Sequence, residues 1–234
     1  LVNPEVGRER EFASIGPAPR AKRVIVIGGG PAGLEAARAA AARGHHVRLF
    51  ERAAELGGQL RLALLPPQKE KIEWLRLCLI TQAQKAGVEL FTSTPFQPEA
   101  LAQGEADAAV IATGARPREE KVAGARADQV VAAWDVLDGR PSARDLAVLV
   151  LGGRQMGCET AEFLAGRGNR VTLVSRSPAA DLAGDVVASY RAPLLARLRK
   201  LGVALHTRCD VRELRDGKAT IVDAHGREEA VVGA

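Results

Sequence analysis

Two glycine clusters, each followed by an apolar run that ends in a polar or charged pair, are the parts of this 234-residue chain whose spacing could do chemistry. The first holds Gly28, Gly30 and Gly33, with Glu51 and Arg52 closing the run; the second holds Gly152, Gly153 and Gly157, with Ser175 and Arg176 in the corresponding place. Each glycine of such a cluster has its own use. Gly28 permits the tight turn out of a strand, Gly30 lets a pyrophosphate approach the backbone, and Gly33 lets the next helix lie close on the sheet. The free N–H groups at the start of that helix, around Pro31 and Ala32, then face the phosphates with the positive end of the helix dipole behind them. A carboxylate at Glu51 can accept both hydroxyls of an adenosine ribose. The chemistry this predicts is the binding of two dinucleotides in tandem.

The elements that must position these residues are themselves repeated. Residues 28–52 and 152–176 follow the same plan, and each is preceded by an apolar run, RVIVI at 23–27 and AVLVL at 147–151. Strand, glycine turn, Ala/Leu-rich helix and second strand make a βαβ unit, so the fold expected is α/β with two Rossmann-like folds. Residues 1–22, broken by Pro4, Gly7, Gly16, Pro17 and Pro19, read as an extended lead-in; 23–116 read as the first nucleotide domain, 117–146 as a connector and 147–234 as the second domain. Within the first domain, Ile72, Leu75, Leu79 and Ala83 mark a helix, and VELFT at 88–92 and AAVIATG at 108–114 mark strands. The connector carries a short helical candidate at 130–138. In the second domain a basic amphipathic helix at about 186–200 is followed by a strand at 203–207 and a hairpin around Asp216 and Gly217, giving a small β-hairpin or meander near the C-terminus.

Composition narrows the class. The chain is 47% hydrophobic and 26% charged, ordinary for a globular protein with a real core. Its net charge is +5, yet the basic residues are interspersed with acids and aromatics are only 3%, which argues against a nucleic-acid partner. No apolar run is long enough to span a membrane and the N-terminus has no signal-peptide pattern, so a cytoplasmic location is expected. Cys78, Cys158 and Cys209 form no CxxC, and His45, His46, His206 and His225 have no metal-ligand spacing. No metal site is expected in this chain, and the sequence does not decide between a monomer and a homo-oligomer.

Beyond the glycine clusters, GGQ at 57–59, ATGARP at 112–117 and GCE at 157–159 resemble the flavoprotein reductases with two dinucleotide-binding domains, of the glutathione and thioredoxin reductase type. The opening LVNPEVGRE resembles the segment that follows the last cluster-binding cysteine in the bacterial 2,4-dienoyl-CoA reductase and trimethylamine dehydrogenase family, multidomain NADH:flavin oxidoreductases of the old-yellow-enzyme kind. In that family an N-terminal TIM barrel carries FMN and the substrate, and a [4Fe–4S] cluster comes next. The resemblance implies a piece of a longer polypeptide whose barrel lies upstream. It also implies FAD over Gly28, Gly30, Pro31, Ala32 and Gly33, with Glu51 on the adenosine ribose and Arg52 beside the adenine. Gly58 and Gln59 would approach the flavin end, and Thr113 and Gly114 the phosphates. For Arg52 a plain surface arginine, for Gly58–Gln59 a tight polar turn, and for Thr113–Gly114 a strand end remain open alternatives.

The second copy departs from the pattern at two places. Arg154 stands where the first copy has Gly30, putting a side chain where pyrophosphate should meet backbone and leaving nicotinamide binding open. Ser175 and Arg176 replace the ribose acid, which removes the repulsion of a 2′-phosphate and supplies a guanidinium to pair with it, favouring NADPH over NADH. Glu159 matches a position near the nicotinamide half in related reductases; Glu35 occupies the same place in the first copy, so a helix-start charge is an equal account. The leading expectation is an NAD(P)H oxidoreductase portion that passes hydride to FAD and electrons on to the cluster and FMN. The alternative is a degenerate module in which ADP replaces FAD, as in the trimethylamine dehydrogenase branch.

Overall fold

The structure, a computed structural model, describes residues 6–12, 16–102, 104–118, 121–140, 143–215 and 217–232. The chain divides into two compact units that change over between Arg116 and Pro117, with Leu65–Gln68 grouped with the second.

In the first unit the lead-in differs from the extended segment expected of it. It contains one helical turn, α1 (Glu9–Phe12), where the Gly7 N–H donates to the Glu9 carboxylate at 2.9 Å and Arg8 pairs with Glu11. Local side-chain bonds of this kind hold a turn that the prolines alone would not predict. Residues 1–5 and 13–15 lie outside the described residues.

The nucleotide fold follows as β1 (Arg23–Ile27), α2 (Pro31–Ala42), β2 (His46–Phe50), α3 (Leu60–Ala63), α4 (Ile72–Lys85), β3 (Glu89–Phe91), α5 (Glu99–Ala102) and β4 (Ala108–Ile111). Its sheet has the order β3-β2-β1-β4, all neighbours parallel, with Val24 opposite both Val47 and Ala108. A parallel strand covered on both faces needs continuous apolar residues, and β1 supplies them in Val24, Ile25 and Val26, all buried. Leu34 and Ala37 of α2, Leu49 of β2, Ala83 of α4 and Val88 complete one core. The chain order reverses beside β1, which has β2 on one side and β4 on the other; this is the crevice where open α/β sheets bind ligands.

The second unit starts with the connector, which carries a 3-10 turn at Ala127–Gln129 and α6 (Ala133–Leu137), shorter than the 130–138 helix expected. Then come β5 (Ala147–Leu151), α7 (Gln155–Ala165), β6 (Arg170–Ser175), α8 (Ala188–Lys200) and β7 (Ala204–Thr207). Strands β5, β6 and β7 form a parallel sheet in that order, packed through Cys158, Ala161, Leu173, Leu194 and Leu198. The expected hairpin is part of a three-stranded antiparallel meander, β8 (Cys209–Arg215), β9 (Lys218–Asp223) and β10 (Glu228–Val232), with Asp216 itself outside the described residues. Leu214, Ala219, Ile221 and Val231 of the meander share a core with Val174 of β6, and Val122 and Ala125 of the connector pack against it.

Candidate dinucleotide sites

Strand β1 delivers the chain into the first turn with Gly28 at φ +110°, a conformation only glycine adopts freely. A Cβ there would lie 2.4 Å from the Ala112 carbonyl oxygen at the end of β4. Gly33 is fixed by contact instead: a Cβ on it would sit 1.9 Å from the Gly28 carbonyl oxygen, so helix and turn touch backbone to backbone. Gly30 is different. Its φ of −75° and ψ of −179° suit any residue, and the nearest heavy atom to an added Cβ is the Gly58 Cα at 3.9 Å. The protein itself therefore has no need of glycine at 30. A side chain there would fill only the open space in front of α2, whose N-terminus has no side-chain cap and begins with Pro31. An uncapped helix start behind an open cradle fits the pyrophosphate of a dinucleotide.

Glu51 stands just beyond β2, with both oxygens committed to backbone: the Gly29 N–H donates to Oε2 at 2.7 Å and the Ala53 N–H to Oε1 at 2.8 Å. Each carboxylate oxygen keeps a further lone pair for a ribose hydroxyl. Arg52 is exposed beside it. The Gly57–Gly58 turn has both glycines at positive φ, and Gly58 lies against Gly30, where a Cβ would meet the Gly30 Cα at 2.9 Å. The Gly57 N–H donates to the Gly29 carbonyl at 2.8 Å, which joins this loop to the first turn. Gln59 and Gly114 face each other, the amide nitrogen lying 3.5 Å from where a Gly114 Cβ would be, and exposed Thr113 adjoins the Gly28 turn. The first-copy residues named from the sequence are thus gathered around one turn.

One residue at this turn has no sequence signal. Arg76 of α4 donates to the Leu56 carbonyl at 2.9 Å, forms a two-pronged pair with Glu73, and lies 2.5 Å from an added Gly57 Cβ. In the sequence it is one more charge on an amphipathic helix; in the fold it is mostly buried and braces the GGQ loop from below.

The second copy keeps the scaffold. Gly152 has φ +108°, and a Gly157 Cβ would stand 1.9 Å from the Gly152 carbonyl oxygen, the same contact as in the first copy. Ser175 is buried at the end of β6, where its Oγ accepts the Ser177 N–H at 3.2 Å and leaves no room for a Cβ on Gly153. Arg176 is 80% exposed and lies 3.9 Å from Asp210. Glu159, placed by the sequence at the helix start, is only 3% exposed; it accepts bonds from Gln155 at 2.7 Å and from the Tyr190 hydroxyl of α8 at 3.0 Å. Burial and the neighbouring Glu159 carboxylate push the Tyr190 hydroxyl well above its usual range, so it stays protonated and donates.

Three further differences separate the copies. Among the described residues β5 has a neighbouring strand on one side only, and an added Gly152 Cβ meets nothing within 4 Å. Arg154 takes the place of Gly30 with nearly the same backbone, φ −80° and ψ −179°. And a carboxylate that the sequence reading missed, Asp185, sits at the start of α7: it accepts the Gln155 N–H at 2.8 Å and pairs with the Arg154 guanidinium at 3.4 Å. Burial opposes ionisation of Asp185, but the N–H groups of Gln155 and of Asp185 itself, together with Arg154, hold its carboxyl below the ordinary range. Among the described residues no group of His, Cys, Asp and Glu side chains could hold a metal ion, and no helix is long and apolar enough to cross a membrane.

Two parallel sheets, each opening through a glycine turn into a helix start, have the architecture of tandem dinucleotide-binding folds. Comparison gives the family: residues 22–233 match the pyridine nucleotide-disulphide oxidoreductases. The chain is 39% identical over 233 residues to an NADH oxidase of Thermoanaerobacter brockii, which covers 98% of this chain and 36% of the relative. Its fold superposes on a 2-naphthoyl-CoA reductase with a TM-score of 0.89 at 30% identity, covering 99% of this chain and 35% of that one. With histamine dehydrogenase from Rhizobium sp. 4-9 the TM-score is 0.78 at 25% identity, over 93% and 35% of the two chains. The chain belongs to the pyridine nucleotide-disulphide oxidoreductase family, as the FAD/NAD-binding part of the dienoyl-CoA reductase and trimethylamine dehydrogenase-like oxidoreductases. It spans about a third of the length of these relatives.

Proposed function

We propose that this chain is the electron-transfer portion of a longer reductase, with FAD over residues 28–59 and a nicotinamide dinucleotide over residues 152–176, feeding an iron–sulfur cluster and FMN in an upstream barrel. Gly30 carries the reading. It is a glycine that its own backbone does not require, facing open space at an uncapped helix start, which is what a bound pyrophosphate needs and a bare turn does not.

FAD held here would supply hydride and single-electron redox chemistry, while the chain's residues would bind and orient it. The Ala32 and Gly33 amides present the positive end of α2 to phosphate. Glu51, locked by two backbone donors, offers its remaining lone pairs to the adenosine ribose, with Arg52 alongside the adenine. Gly58 and Gln59 line the far end of the cradle, held there by Arg76, while Thr113 and Gly114 close the side of the turn. In the second copy Gly152, Gly153 and Gly157 shape the turn, and Ser175 with Arg176 receives the adenosine ribose. The absence of an acid at 175 favours NADPH over NADH, although Asp210 beside Arg176 reduces the free positive charge there. Glu159 orders the start of α7 through Gln155 and Tyr190. A cytoplasmic setting belongs to this reading and agrees with free thiols at Cys78, Cys158 and Cys209.

A second reading, a module that holds ADP in place of FAD and no nicotinamide, is favoured by the Arg154–Asp185 pair over α7. An anaerobic titration of the FAD-loaded protein with NADPH and separately NADH decides between them. Saturable loss of flavin absorbance, stronger with NADPH, is the expected result. Retained FAD or ADP with no bleaching by either nucleotide in the full-length protein would give the second reading.

A further inference from the structure

The two copies can be aligned beyond the glycine clusters through their own contacts. An added Cβ on Gly29 would strike Leu56 and Glu51; one on Gly153 would strike Leu182 and Ser175. The Gly57 N–H donates to the Gly29 carbonyl at 2.8 Å, and the Ala183 N–H to the Gly153 carbonyl at 2.7 Å. Leu56 therefore corresponds to Leu182 and Gly57 to Ala183, and two residues further on Gln59 corresponds to Asp185. A neutral amide in the first copy is a carboxylate in the second. The helix starts differ in step with it: the first residue of α2 is Pro31, which has no N–H to give, and the first residue of α7 is Gln155, whose N–H goes to Asp185 at 2.8 Å.

We infer that Asp185 is an internal anion seated at the pyrophosphate position of the second site, clipped there by Arg154, and that it sets how tightly this fold takes a dinucleotide. This rests on the reading of residues 152–176 as a nicotinamide dinucleotide site. A pyrophosphate and a carboxylate carry the same sign and compete for the same positive helix end, so the ligand must displace Asp185 or bind against its repulsion. The two members of the clip are unequal. The Arg154 side chain is 80% exposed and held, among the described residues, only by its pair with Asp185, whereas Asp185 is 28% exposed and also fixed by a backbone donor. With the carboxylate gone, Arg154 becomes a guanidinium beside an open helix start, able to pair with phosphate instead of opposing it. Arg154 by itself is thus not the obstacle that its position in the glycine cluster suggests; Asp185 is.

The test is equilibrium binding by calorimetry to the FAD-loaded protein, without turnover. Asp185→Asn and Asp185→Ala are compared with the unaltered protein using ADP-ribose, which has the pyrophosphate, and adenosine 2′-monophosphate, which has only the adenosine end. Losing a charge-assisted contact that competes with the ligand is expected to tighten ADP-ribose by about tenfold in both variants. Adenosine 2′-monophosphate should be unchanged. Asp185→Asn keeps the oxygen that caps Gln155, so it remains informative if the alanine variant folds poorly. Unchanged or weaker ADP-ribose binding, an equal gain for both ligands, or no ADP-ribose binding in any of the proteins each overturns the inference. Tighter ADP-ribose without any reduction of FAD by NADPH would leave the inference standing and remove the reductase reading; reduction of FAD with no change in the variants would do the reverse.

Discussion

The first copy and the second share a scaffold and differ in what they present to a ligand. Both set their third glycine 1.9 Å, by an added Cβ, from the carbonyl oxygen of their first. Both place a residue of the second strand's end against the second residue of the turn, Glu51 on Gly29 and Ser175 on Gly153. At the helix start they part: an open glycine and a proline in one, an arginine and a carboxylate in the other. The first and third glycines that shape the turn are kept, and the residues at the helix start are exchanged. A glycine motif therefore contains two kinds of position, and only contact geometry tells them apart.

The largest test of that division is to add a methyl at the shared contact. Gly33→Ala and Gly157→Ala each drive a Cβ into backbone that cannot step aside like a side chain, and each should destabilise its unit by about 3 kcal/mol, at the upper end of ordinary overpacking. Denaturant unfolding of the two variants checks it, and a cost in one copy but not the other would break the parallel. A position of the other kind should behave in the opposite way. Gly30→Arg, which writes the second copy's residue into the first, should leave the unfolding free energy of the cofactor-free protein within about 0.5 kcal/mol, because the site is open and its backbone ordinary. FAD affinity should fall about a hundredfold with it, measured by fluorescence titration, as a bulky side chain enters the phosphate cradle.

A smaller effect distinguishes the sheets. The start of β1 is fastened by Asp107, which accepts the Arg23 N–H at 2.8 Å and pairs with its guanidinium. The residue before β5 is fastened by Asn169, a buried neutral amide that accepts the Leu146 N–H at 3.1 Å and donates to the Ala143 and Leu164 carbonyls. The Arg23 side chain and N–H lower the Asp107 carboxyl to about 2. A depressed carboxyl contributes stability above its unfolded value of about 3.9, and that contribution is lost as pH falls through the folded value. Acid should therefore loosen the β1 end between about pH 4 and pH 2 while the β5 end keeps its protection. Amide hydrogen exchange across that range reads both ends at once, and Asp107→Asn should abolish the difference.

Much of this was legible in the sequence because it is local. Periodicity and glycine spacing locate both βαβ units, and Glu51, Ser175 and Arg154 announce themselves by their place in the motif. What was not legible depends on the return of distant chain. Asp185 lies in an aperiodic stretch after β6 and reaches α7 only because Leu182 and Ala183 dock on the Gly153 turn. Arg76 looks like the solvated face of α4 until Leu56 is placed above it. Glu159 carries a helix-start charge on paper, yet the arrival of Tyr190 from α8 turns it inward. The third strand of the meander, Glu228–Val232, is too charged at its start to be told from a loop, and only its pairing with β9 identifies it.

The near-identical backbone of Gly30 and Arg154 has a consequence for how such proteins change. Because that position asks nothing of the fold, a repeated unit can trade its residue there at no structural penalty, and selection on one copy's cargo need not disturb the other. Specialisation of twin sites would then proceed by single-letter edits at places the architecture leaves blank, long before any strand or helix has to be rebuilt.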